Sequence, residues 1–126
     1  MKTKEAHCPV EGTIRIIGGR WKLLILKELF QETKRFGELH RALGGITQKM
    51  LTQQLRELEK DGIIIRKVYP QIPPKVEYSV SQTGLSLKPI LDLMHQWGSR
   101  HLVSSEAEKS GAVPLVPRKS ISAGAL

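Results

Sequence analysis

A chain of 126 residues with 40% hydrophobic content has room for one compact domain and little more, and no apolar run in it reaches the length of a bilayer span. The basic, polar opening MKTKEAHCP leads into no signal-like apolar stretch, so the chain reads as soluble and cytoplasmic, with no membrane-spanning part. The single cysteine, Cys8, excludes an internal disulfide framework and a cysteine-built zinc site, while a net charge of +8 points to a polyanion: nucleic acid, an acidic partner or an anionic surface. Residues 1–104 hold 17 Lys+Arg against 10 Asp+Glu, so the positive excess belongs to the patterned part of the chain.

A first helix is predicted to begin at Cys8-Pro9-Val10-Glu11. Proline suits the first helical position, where its missing N–H would be unpaired anyway, and Glu11 suits the positive end of the helix dipole. Val10, Ile14 and Ile17 then recur at helical spacing, and Gly18-Gly19 ends the element. Trp21 to Phe30 is apolar nearly all round, broken only by Lys22, Lys27 and Glu28, which is the pattern of a central core helix.

Lys34-Arg35 falls in a short connection with room for a stub of strand, and Phe36, Leu39 and Leu43 mark a short third helix stopped by Gly44-Gly45. A fourth helix is predicted from Thr47 to Asp61. Thr47 can cap it, Ile46 can staple onto Leu51, and Gly62 suits the left-handed residue just beyond its end.

The period then changes. Residues 63–69 (IIIRKVY) are β-branched and aromatic, and Val76, Tyr78 and Val80 alternate with Glu77 and Ser79. The intervening Pro70-Gln71-Ile72-Pro73-Pro74-Lys75 cannot be a central strand, so a hairpin with a stiff, basic-tipped loop is expected. Ser81 can cap a last helix carrying Leu87, Ile90, Leu91, Met94 and Trp97 on one stripe, with Pro89 either kinking it or marking its true start. Residues 105–126 lack periodicity and read as a flexible tail on a single domain spanning 1–104.

The resulting fold class is mainly α with a small β-hairpin (α+β): a winged helix-turn-helix with an additional helix at each end. In such a unit the helix after the turn enters the major groove of DNA. Leu51, Leu55 and Leu58 define its inner side, and Lys49, Gln53, Arg56 and Lys60 project opposite, with Thr52 at the flank. Gln pairs with adenine edges, Arg with guanine edges, and Lys and Thr reach phosphates or bases. Thr47 and Gln48 lie at the helix N-terminus, where free N–H groups favour a phosphate. Arg66, Lys67 and Lys75 on the hairpin, with Lys34 and Arg35, can follow the phosphate backbone. A polar outer face alone describes most surface helices; its combination with a helix-turn junction and a basic hairpin is what points to double-stranded DNA.

The runs CPVEGTIRIIGGRWKLLIL, RFGELHRALGGITQKMLTQQLRELEKDGIIIRKVY and PPKVEYSVSQTGLSLKPIL resemble the HxlR-type transcription regulators, relatives of the MarR-type group, over about residues 7 to 101. The matching motifs are Gly-Arg-Trp-Lys (19–22), Arg-Phe-x-Glu-Leu (35–39), the run from Lys49 to Gly62, and Pro-Pro-x-Val-Glu-Tyr (73–78). The resemblance implies a homodimer joined by the terminal helices, reading an operator through the helix of Thr47 to Asp61 and the wing around Lys75. Val10, Ile14, Leu87, Ile90, Leu91, Met94 and Trp97 are the expected interface residues. On their own terms, the last five form a stripe more apolar than a terminal helix on so small a core requires, although part of it also suits a core-packing helix.

Cys8 has two readings. Its position before proline matches one that is often cysteine in the resembled family, where several members sense quinones, aldehydes or oxidants. A small electrophile or oxidant would then be the effector, and oxidation would give an intersubunit or mixed disulfide or an adduct. The other reading is an ordinary small residue near the dimer interface. His40, His95 and His101 have no metal-pair spacing and read as surface or interface residues. With no phosphate loop, nucleophile elbow or paired carboxylates, neither an enzyme, a cofactor nor a metal site is expected.

The expected function is sequence-specific transcription regulation by a homodimer on an inverted repeat, repression being the favoured direction. A winged-helix module binding protein or RNA uses the same scaffold, but its exposed helix would be more apolar or acidic than this one. A regulator answering a small molecule without thiol chemistry would differ only in its input.

Overall fold

The computed structural model describes residues 8–102. The order is α1 (Pro9–Ile17), α2 (Arg20–Gln31), β1 (Lys34–Arg35), α3 (Phe36–Leu43), α4 (Gln48–Lys60), β2 (Ile64–Tyr69), β3 (Lys75–Val80), α5 (Gln82–Leu85) and α6 (Lys88–His101). Elements through α5 form one compact unit; α6 belongs to a second that begins at Ser86. No described helix is long and apolar enough to cross a membrane, and residues 105–126, read from sequence as a tail, lie outside the described residues.

The core of the first unit is built where the helical periodicity places apolar residues. Ile25, Leu26 and Leu29 of α2 are buried, with Leu39 of α3, Ile46 before α4, Leu51, Leu55 and Leu58 of α4, Ile63 and Ile64, and Tyr78 of β3. α1 divides its stripe: Ile17 is buried, whereas Val10 and Ile14 are exposed.

The sheet exceeds the expected hairpin. Lys34-Arg35 forms a true third strand, and the order β1-β3-β2 makes β3 the central one. Its antiparallel registers pair Lys34 with Tyr78 and Arg35 with Glu77 on one side, and Arg66 with Tyr78 and Lys67 with Glu77 on the other. The basic-tipped loop does not form. Lys75 is the first residue of β3, paired with Tyr69, and the tip at residues 70–74 carries no charge.

Helix ends explain how α4 is aimed. Thr47 caps it by accepting the N–H of Met50 at 3.0 Å. At the other end Gly62 has φ +76°, the N–H of Ile63 reaches the carbonyl of Leu58 at 2.9 Å and that of Gly62 reaches Glu59 at 2.9 Å. This paired closure reverses the chain, turns buried Ile63 onto the helix and launches β2.

Ser81 does not head one long helix. Its hydroxyl lies 2.6 Å from the Gly62 carbonyl and 2.9 Å from that of Ile63, and it accepts the Gly84 N–H at 2.9 Å, capping the four-residue α5. Pro89 marks a new beginning, in the first turn of α6. Of the expected stripe on that helix, Ile90, Met94 and Trp97 are exposed together with Leu93, and Leu87 and Leu91 are half-buried.

Candidate nucleic-acid interface

α3, the Gly44-Gly45 turn and α4 form the helix-turn-helix. Both glycines hold positive φ, +54° and +90°, which lets the chain turn sharply. His40 of α3 pins this turn: its Nε2 lies 3.0 Å from the carbonyl oxygen of Ile46, and a carbonyl can only accept, so Nε2 carries the hydrogen. A half-buried residue stacked on Phe36 is thus a structural tie rather than the surface or interface histidine expected from sequence.

With its leucines buried, α4 turns Gln48, Lys49, Gln53, Arg56 and Lys60 outward; all are exposed, and Thr52 is half-buried at the flank. Gln48, Lys49, Thr52, Gln53, Arg56 and Glu57 line one open concavity of ≈ 550 Å³. A second groove of ≈ 350 Å³ between α4 and the sheet is bordered by Thr52, Arg56 and Glu59 of α4 and by Arg66 and Tyr78 of the strands. Thr52 and Arg56 belong to both, so the outer face of α4 and the groove against the wing adjoin along these two residues.

Strand alternation separates the predicted wing cations. Arg66 shares the α4-facing side with Tyr78, whereas Lys67, paired with Glu77, stands on the opposite side together with Tyr69, Lys75 and Arg35. There the Lys67 and Lys75 ammonium groups lie 4.9 and 4.7 Å from the Tyr69 ring centroid. The Tyr69 hydroxyl donates to Glu77 Oε1 at 3.0 Å, and Lys75 Nζ lies 3.5 Å from Glu77 Oε2. The Tyr69 hydroxyl, followed by the Lys75 charge working against desolvation, holds the Glu77 carboxyl below its ordinary value of 4.5.

Lys34 is set differently from the rest. Its ammonium sits 3.1 Å from Glu32 and 3.8 Å from Glu28, on a largely covered side chain. The hydrogen bond to Glu32 raises it above its ordinary value of 10.5 against the opposing cost of burial. Lys34 therefore neutralises local carboxylates, while Arg35 is exposed. Thr47 likewise commits its hydroxyl to the helix cap.

Two residues that sequence reasoning did not assign a role stand behind this face. Lys22 of α2 is buried at 8% exposure, and its Nζ meets Glu57 Oε1 of α4 at 2.6 Å. Glu57 Oε2 accepts from Gln53 Nε2 at 3.3 Å. A partial signal was available: Lys22 falls on the buried side of a core helix, where an ammonium needs a nearby acceptor, and Glu57 is an acid beside a basic face. Cys8 is exposed at the N-cap of α1, its carbonyl accepting the N–H of Gly12 at 3.1 Å.

Helices α2 to α4, the last basic and amide-rich on its exposed face, closed by a three-stranded sheet whose β2–β3 hairpin is the wing, define a winged helix-turn-helix DNA-binding protein. The HxlR-like helix-turn-helix family model matches residues 16–106, and the chain belongs to that family of transcription regulators. It is 54% identical over 102 residues to YtcD, an uncharacterized HTH-type transcriptional regulator of Bacillus subtilis (strain 168), covering 81% of each chain. The crystal structure of ytcD superposes with a TM-score of 0.73 at 56% identity, over 75% of this chain and 97% of that one. The redox regulator HypR matches in its reduced form with a TM-score of 0.73 at 49% identity, over 78% and 99% of the two chains. Its oxidized form gives 0.69 at 52% identity, over 73% and 95%.

Proposed function

We propose that the chain acts as a homodimeric repressor on an inverted-repeat operator, with α4 in the major groove and the wing along the phosphates. The observation that carries this reading is the outer face of α4, where Lys49, Gln53 and Arg56 are exposed together beside Arg66 of the wing. Lys67 and Arg35, on the far side of the sheet, supply sequence-independent phosphate contacts, and Gln48 does so at the helix N-terminus. Dimerisation uses the exposed apolar residues of α1 (Val10, Ile14) and of α6 (Ile90, Leu93, Met94, Trp97), each helix presenting more apolar surface than a monomer needs. Two-fold symmetry then sets the half-sites about 34 Å apart, one helical turn of DNA. Repression is the simplest consequence of a dimer occupying promoter DNA.

Cys8 is the input in this reading, and a thiol-reactive electrophile or oxidant is the effector. Its exposure and the likeness to a regulator named for redox control, solved in oxidized and reduced forms, support it.

An electrophoretic shift with promoter duplexes at physiological salt tests the whole. Wild-type protein should bind as a dimer, and Lys49→Ala with Arg56→Ala should abolish specific binding; intact affinity in that double variant would falsify the assignment of α4. Diamide or benzoquinone should release wild type from DNA and leave Cys8→Ser bound. Equal responses of the two would remove Cys8 from the mechanism.

A further inference from the structure

We propose that Glu57, anchored by buried Lys22, orients the side-chain amide of Gln53 and thereby decides which base edge Gln53 accepts. The inference rests on the operator-binding reading above and concerns the selectivity of that same helix face.

A glutamine amide on a helix surface ordinarily turns over freely, and its two ends ask for opposite things from a base: the oxygen needs a donor, the nitrogen an acceptor. Here one end is already engaged. Glu57 Oε2 lies 3.3 Å from Gln53 Nε2, and an ionised carboxylate only accepts, so the nitrogen must face Glu57. Oε1 then points away from Glu57, with the second N–H still available. Glu57 is itself held, because its other oxygen meets the Lys22 ammonium at 2.6 Å. Lys22 lies at 8% exposure on α2, so the anchor belongs to the scaffold and not to a mobile surface chain. The three groups form one directed line, from the core through the carboxylate to an amide on the exposed face of α4.

An outward amide oxygen favours a base that offers an amino group in the major groove, adenine N6 or cytosine N4, and disfavours the acceptor-only edges of guanine and thymine. Adenine fits best, since its N7 also takes the remaining N–H. Lys22 and Glu57 are positioning residues, and Gln53 is the specificity-determining contact.

Glu57→Gln gives a directional test. The new amide can keep its oxygen on Lys22 and present its NH2 toward position 53. Gln53 would then turn its oxygen inward and its nitrogen outward, reversing the requirement. Duplexes selected from a random pool by wild type, Glu57→Gln, Gln53→Ala and the Gln53→Ala/Glu57→Gln double variant are to be sequenced. Expected is a switch at one base pair of each half-site, from adenine or cytosine to guanine or thymine, with discrimination changing about tenfold. The switch should vanish in the Gln53→Ala background, which a general effect on α4 stability would not do. Lys22→Met, an apolar chain of similar length, should relax that position without reversing it. A wild-type motif retained unchanged by Glu57→Gln and Lys22→Met overturns this proposal and leaves operator binding standing. If wild type enriches no motif at all, operator reading fails and this inference with it.

Discussion

Lys22 and Glu57 meet at 2.6 Å across the packing of α2 against α4, joining an almost fully buried cation to a carboxylate whose side chain is 43% exposed. The contact ties the border of the outer face of α4 to the helix behind it. An ammonium at this depth needs a partner close enough to offset its lost hydration. Glu57 does so from the border of the outer face of α4, so one residue serves both the core and the surface proposed to meet DNA.

Removing the carboxylate should therefore cost stability. Glu57→Ala leaves the Lys22 ammonium without its acceptor, and we expect a loss of about 2 kcal/mol, at the middle of the range for an unsatisfied buried donor. Glu57→Gln retains an acceptor and should lose less. Urea denaturation monitored through Trp21 fluorescence measures both, and an undiminished midpoint in Glu57→Ala would show that water reaches Lys22.

The same pair has a pH signature. The hydrogen bond from Lys22, and after it that from Gln53, holds the Glu57 carboxyl below its ordinary value of 4.5. A depressed carboxyl contributes stability that is complete above 4.5 and is lost as pH falls through the folded-state value. The stability difference between wild type and Glu57→Gln should be level from pH 7 to about 5 and shrink below that. A difference independent of pH down to 3 would contradict the ion pair.

Gly84 is required for close approach and not for turn geometry. A Cβ there would collide with the Ile63 carbonyl oxygen and stand 2.8 Å from Val80 Cγ1, and the first of these is backbone that cannot move aside. Gly84→Ala should lower stability by about 1–3 kcal/mol, the usual cost of overpacking, despite alanine's better helix propensity. Thermal unfolding reads the sign directly.

Thr47→Ala removes the acceptor for the Met50 N–H and frays the first turn of α4. A loss of about 1 kcal/mol is expected. DNA affinity should fall by more than global stability implies, because Gln48 and Lys49 sit in that turn. Paired denaturation and binding measurements separate the two.

The wing lysines should differ. Lys67→Ala should weaken binding to every sequence alike and lower the slope of log affinity against log salt by about 1. Lys75 lies 3.5 Å from Glu77, so its charge is partly spent within the protein and Lys75→Ala should change the slope less. Equal slopes for the two would mean that DNA displaces Glu77 from Lys75.

Much of this was legible before any coordinates. The leucine spacing of α4, the Thr47 cap, the Gly62 closure and the glycines after α3 are local rules acting over a few residues, and the elements from α1 to β3 formed within a residue or two of their predicted bounds, whereas the helix expected after Ser81 is divided into α5 and α6. The alternation of β3 was equally clear. Its central place in the sheet was not, because pairing with Lys34-Arg35 joins segments some forty residues apart and leaves no local periodic mark.

The sequence by itself determined which residues α4 buries and which it turns outward, since helical pitch and hydrophobicity suffice for that. Tertiary structure alone decided that buried Lys22 meets Glu57, thirty-five positions away, across the packing of α2 against α4; the outward cations find their places nearer by. Lys34 is taken up by Glu28 and Glu32, Lys75 by Glu77, and Arg66 and Lys67 are sent to opposite sides of the sheet. Charge is a property of the residue, but its availability depends on which carboxylate comes within about 4 Å, and for Lys22 that distance is set by the long-range packing of α2 against α4.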